Sequence, residues 1–71
     1  MIKEKLNDYI YDTENPQKNF DLALEYEEEG QTASAIGLYL RCAEITDDNN
    51  LAYESLIRMG LCFSKCFIFI T

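Results

Sequence analysis

The 71-residue chain contains no histidine and no tryptophan, one proline, three glycines, and only six basic residues against thirteen acidic ones. Without histidine it lacks the commonest general base and the commonest zinc ligand. With so few glycines it has no loop able to cradle a phosphate, and no serine sits in a nucleophile elbow. A net charge of −7 repels phosphate backbones and anionic lipid, so neither nucleic acid nor a membrane surface is expected as a partner. No apolar run approaches the roughly 20 residues of a membrane span. The amino-terminal stretch MIKEKLNDYI carries charge through its first turns and does not read as a secretion signal. Three cysteines, an odd number, argue against a disulfide framework, and the expected compartment is a reducing cytoplasm.

What the chain does have is apolar residues at helical spacing. Nearly half of its residues are hydrophobic, at 48%, which opposes disorder. A chain this short nevertheless buries only about 60% of its unfolded surface, so an isolated core is marginal. Residues 2–12 place Ile2, Leu6, Tyr9 and Ile10 on one narrow stripe of an otherwise charged helix. Asn15 followed by Pro16 combines an N-cap with a first-turn proline and starts a second helix, which should run to about Glu29. Gly30 follows, where a left-handed C-terminal cap needs a residue without Cβ.

A third helix is expected from near Thr32, read as its N-cap, to near Thr46. It carries two stripes: Ile36, Tyr39, Leu40 and Ala43 on one side, and Ala35, Leu38, Cys42 and Ile45 on the other. A helix apolar on two sides must lie between two neighbours. Asp47, Asp48, Asn49 and Asn50 then form a turn and supply a cap. From Leu51 a fourth helix carries Ala52, Tyr53, Leu56, Ile57, Met59, Gly60, Cys62 and Phe63, again too many apolar residues for one packed side. After Lys65 the text turns to uncharged CFIFIT, which fits a continued helix, a strand or an extended tail, and which would promote aggregation if exposed.

Phe20, Leu22, Tyr26, Gly30, Ala35, Tyr39 and the Cys42/Ala43 pair fall in the order and register of a tetratricopeptide repeat. The resemblance implies that small residues let two helices approach while aromatics fill the space between hairpins. Asp47 stands where that family usually has proline, and Ala23 where glycine is frequent. Tyr53 and Leu56 recur near the matching places of a second unit on a period of about thirty-four residues. The expected fold is therefore all-α, a stack of antiparallel helical hairpins forming a single domain over 1–71. It comprises an N-terminal helix (1–14), one complete repeat (15–50), and the first helix of an incomplete second repeat with an apolar tail (51–71). The stretch GQTASAIGLYLRCAEITDDNNLAYESLIRMGLCFSK also resembles the helical N-terminal region of some glycosyltransferase-like proteins, including phage-associated ones. That resemblance implies an alternative, a truncated non-catalytic segment of such an enzyme.

These readings point to a protein–protein interaction module rather than an enzyme. Carboxylates abound, but a hairpin stack of this size offers no deep cleft in which two of them could share a substrate. Cys62 and Cys66, four apart, could form a soft-metal or redox pair or could be small buried residues; with no histidine beside them, the second reading is preferred. No cofactor or metal is expected. The repeat resemblance places the first helix of each hairpin on a concave wall. This maps a partner surface onto Phe20, Leu24, Glu27 and Glu28 of one hairpin and Glu54 and Arg58 of the next. Phe20 and Leu24 fit equally a core covered by the first helix. Glu27, Glu28 and Glu29 crowd a helix C-terminus, which the macrodipole disfavours, and read either as a solvated face or as a seat for a basic partner. About three repeats are needed for autonomous stability, so a flank carrying Leu56, Met59, Phe63, Phe67 and Phe69 is expected to be covered by a second copy of the chain.

Overall fold

The computed structural model describes the backbone of residues 2–70 and the side chains of residues 2–66. It is all-helical: α1 (Ile2–Ile10), α2 (Pro16–Glu28), α3 (Thr32–Ile45) and α4 (Asn49–Ile70). Each helix packs on the next in chain order, so α2 lies against α1 and α3, and α3 against α2 and α4. The result is a slab measuring 38 × 28 × 13 Å, thin enough that few side chains are wholly enclosed.

The helix boundaries follow from local chemistry. Asn15 Oδ1 accepts a hydrogen bond from the Lys18 amide at 3.1 Å, and Pro16 occupies the first turn, where a missing N–H costs nothing. At the other end of α2, Gly30 adopts φ +82°. Its amide bonds Glu27 O at 3.1 Å, and the Gln31 amide bonds Tyr26 O at 2.8 Å. This paired closure is a Schellman motif, and it satisfies carbonyls that the helix end would otherwise leave open. Because the closure draws in the backbone of Gln31, α3 starts immediately afterwards. Thr32 is thus the first helical residue and not the N-cap, which is Gln31, with no side-chain capping bond.

Asp48 caps α4, its Oδ1 accepting from the amides of Asn50 at 2.9 Å and Leu51 at 3.3 Å. With that cap in place α4 begins at Asn49, two residues before the expected Leu51. It continues as helix past Lys65 to Ile70, the first of the three conformations left open for the tail. α1 ends at Ile10, short of residue 12, and buries none of its residues fully.

The core joins Phe20 and Ala23 of α2, Ala35, Tyr39 and Cys42 of α3, and Cys62 of α4. Phe20 meets Tyr39 edge-on, with ring centroids 5.5 Å apart at 65°. Ala23 and Ala35 are fully buried, which lets α2 and α3 approach closely. Toward α4, Ser55 donates to Cys42 Sγ at 3.1 Å in a buried contact, so small residues again set the helix spacing. The α3 sandwich therefore exists, but its stripes are divided differently from the sequence reading. Ala35, Tyr39 and Cys42 form one buried spine drawn from both stripes, and Leu40 is 44% exposed. Leu40, one position after Tyr39, is turned about 100° from it toward solvent.

A buried amide that the sequence did not announce holds the α1–α2 corner. Asn19 is fully buried and donates to Thr13 O at 3.1 Å and Asn15 O at 2.8 Å. Arg41 of α3 reaches the same corner, bonding Thr13 O and pairing with Glu14. Replacing Asn15 by Ala removes the cap of α2 and is expected to cost about 1 kcal/mol. Gly30→Ala forces a Cβ into the left-handed region and is expected to cost about 1–2 kcal/mol. Urea unfolding followed by circular dichroism measures both, with Gly37→Ala, on an exposed helical site, as the control that should not destabilise.

Candidate functional site

Two surfaces meet along α4. The first is a shallow cleft of about 230 Å³ between α2 and α4, lined by Leu24, Glu27, Glu28, Arg58 and Lys65. Four of the six partner-facing positions read from the sequence are thus brought together. Glu54 joins them through Arg58, its Oε1 lying 3.8 Å from Arg58 Nε. Phe20 does not join them. At 7% exposure it belongs to the core, because α3 places Tyr39 against its ring and leaves it no surface to offer a partner. Leu24 is half-buried and packs on the core while also lining the cleft. Lys65 was not among the partner-facing positions read from the sequence. Nothing short of the tertiary fold brings it to a residue thirty-eight positions earlier.

Glu27 is the centre of the cleft, with a side chain only 12% exposed. Its Oε1 accepts from the Tyr39 hydroxyl at 2.7 Å, and its Oε2 accepts from Lys65 Nζ at 2.9 Å. A nitrogen of the Arg58 guanidinium lies 3.8 Å from the same carboxylate. Burial pushes the Glu27 pKa up, but the hydrogen bonds from Lys65 and Tyr39 and the charges of Lys65 and Arg58 outweigh it, and the net shift is downward. Tyr39 is pushed above the ordinary tyrosine range, first by burial and then by the hydrogen bond to Glu27 and its charge. The hydrogen bond to Glu27 likewise raises Lys65. Glu27 thus differs from the exposed Glu28 and Glu29 beside it: it lies at a helix C-terminus, with two cations from α4 set against it.

Two of the three cysteines are placed as small packing residues, whereas Cys66, read from the sequence as a buried partner of Cys62, is partly exposed. Cys42 and Cys62 are fully buried, and burial raises both thiols, which keeps them protonated and poor nucleophiles. Among the described residues, no group of three or more His, Cys, Asp or Glu side chains is arranged to hold a metal ion. None of the described helices is long and apolar enough to cross a membrane.

The second surface is the outer side of α4, turned away from α3. Tyr53, Leu56, Ile57, Leu61 and Phe63 are 69%, 47%, 46%, 53% and 45% exposed. Part of this side forms a groove of about 410 Å³ lined by Asn50, Tyr53, Glu54, Ile57, Arg58 and Leu61. Leu56 and Phe63 belong to the flank expected from the sequence. Met59 does not: it is half-buried and packs against the core. The side chains of Phe67 and Phe69 lie outside the described residues. Tyr53, Ile57 and Leu61 were missed because α4 is apolar on more than one side and its periodicity does not say which of them α3 takes. The usable signal was Ser55 and Cys62, seven apart, whose small size marks the side that packs closest.

Comparison with protein-family models, with curated proteins and with solved structures finds no match to this chain.

Removing the carboxylate tests its place in the fold. Glu27→Ala leaves the Tyr39 hydroxyl without its acceptor and is expected to cost about 2 kcal/mol at neutral pH. Because the folded-state pKa of Glu27 is lowered, its contribution is fully present above the ordinary value of 4.5 and is lost as pH falls through the lowered value. The stability difference between the native chain and Glu27→Gln, read from urea midpoints, should therefore be constant near neutrality and shrink in acid.

Proposed function

We propose that this chain is a non-catalytic protein–protein interaction module of the tetratricopeptide type, and that it self-associates through the outer side of α4. One observation carries the reading: five large apolar side chains stand 45–69% exposed on one side of one helix. Scattered exposed apolar residues are ordinary, but a continuous patch marks an interaction surface. The repeat resemblance supports the same role, since a helix apolar on two sides belongs between two neighbours. The α2–α4 cleft is the second contact surface, offering a polypeptide partner an apolar Leu24 beside charges of both signs. The thiols and the acidic charge suit a reducing, cytoplasmic setting without nucleic acid or lipid as partner.

The energetics set the strength of self-association. Covering a half-exposed large apolar side chain recovers about 1 kcal/mol. Five per copy, twice over in a symmetric pair, recover about 10 kcal/mol, against an association cost of roughly 4–15 kcal/mol. At the low end of that cost about 6 kcal/mol remains, which sets reversible association at tens of micromolar or weaker. Light scattering after size-exclusion chromatography, from about 10 μM to about 1 mM, should show a concentration-dependent dimer. Leu56→Glu with Ile57→Glu should hold the chain monomeric without loss of helix, whereas Leu40→Glu, on α3, should leave the dimer intact. A native chain that stays monomeric throughout that range refutes the proposal.

A further inference from the structure

We infer that the occupant of the outer side of α4 is the same side of a second copy, running antiparallel, with the two-fold axis between Met59 and Gly60. The inference rests on the self-association reading and adds the partner's orientation and register.

The two edges of the outer side differ in chemistry. Glu54, Arg58 and Lys65, at spacings of four and seven residues, follow one edge, and all three are at least partly exposed. Ala52, Leu56, Met59 and Phe63 follow the other, with no charge among them. Two identical helices packed face to face can be related by a two-fold axis in two ways. In a parallel pair the axis runs along the helices, and each edge meets the opposite edge of its mate. The charged edge would then press on Leu56 and Phe63, and the cations and Glu54 would lose water without gaining partners. In an antiparallel pair the axis crosses the helices at a right angle, and like edge meets like edge in reverse order.

Reversal makes both edges complementary in one register. With the axis between Met59 and Gly60, Glu54 stands opposite Lys65 of the second copy, and Leu56 stands opposite Phe63 of the second copy. Lys65 already donates to Glu27 at 2.9 Å, but an ammonium has three donors and its side chain is half exposed. It can serve both carboxylates. The same register brings Gly60 to the crossing point. A Cβ built on Gly60 would meet nothing within 4 Å, so the fold of a single copy has no need of glycine there. At a helix crossing, a residue without a side chain lets two backbones approach.

Single cysteines test the order of the two helices. The background carries Cys66→Ser, since Cys66 is the partly exposed thiol of the three. Gly60→Cys lies at the proposed axis, and Asn50→Cys lies near the start of α4. In the antiparallel pair the two copies of position 60 are adjacent, while those of position 50 are about 28 Å apart along the axis. Mild oxidation of the dimer should therefore cross-link the position-60 variant at least tenfold faster than the position-50 variant. A dimer that cross-links equally well at both positions is parallel and overturns the inference while leaving self-association standing. Absence of any dimer by light scattering overturns both.

Discussion

The structure depends on one buried hydroxyl. Tyr39 sits fully enclosed between α2 and α4, where its ring fills the space between hairpins and meets the edge of Phe20. A tyrosine buried to that depth must still find an acceptor for its O–H. Glu27 supplies it at 2.7 Å and thereby becomes a largely buried carboxylate in need of cations. Lys65 and Arg58, both from α4, meet that need. A single polar chain thus ties three helices: α3 donates, α2 accepts, and α4 neutralises. Its weight is easily seen in a fold whose fully buried side chains are few and mostly small.

The same chain of contacts explains which way α4 is turned. Its inner side is the one that brings Lys65 and Arg58 toward Glu27 and sets Ser55 and Cys62 against α3. Small residues allow close approach there, so the larger apolar residues Leu56, Ile57, Leu61 and Phe63 are left outside. An interaction surface is in this sense the complement of the packing choice. The side of α4 that fits best against α3 is not its greasiest side, and the greasier one remains exposed.

The repeat resemblance can be weighed in physical terms. Its residues predict close helix approach at the small positions and aromatic filling between hairpins. Ala23 and Ala35 are fully buried, and the Phe20 and Tyr39 rings are in contact. Gly30 carries the positive φ that the turn between paired helices requires. Other antiparallel hairpins share these features, so they belong to the hairpin stack and carry no family assignment.

Much of this was legible in the sequence, because it rests on interactions within a few residues. Asn15–Pro16, Gly30 and the Asp47–Asn50 turn set the helix limits to within a residue or two through capping bonds that span two to five positions. The two-sided greasiness of α3 likewise announced two neighbours. The partner of Glu27 could not be read, since Lys65 lies thirty-eight residues away and nothing local distinguishes it from Lys18. Nor could the outer side of α4 be told from its inner side, because a helix apolar on two sides does not say which of them another helix will cover. Asn19 had the same concealment: an asparagine at the start of a helix reads as solvent-facing, and only the approach of Thr13 and Asn15 carbonyls makes it a buried staple. Local bonds and periodicity therefore determined the elements and their order. Rotation about each helix axis, and with it the cleft and the exposed face, was decided by side-chain packing between residues far apart in the chain.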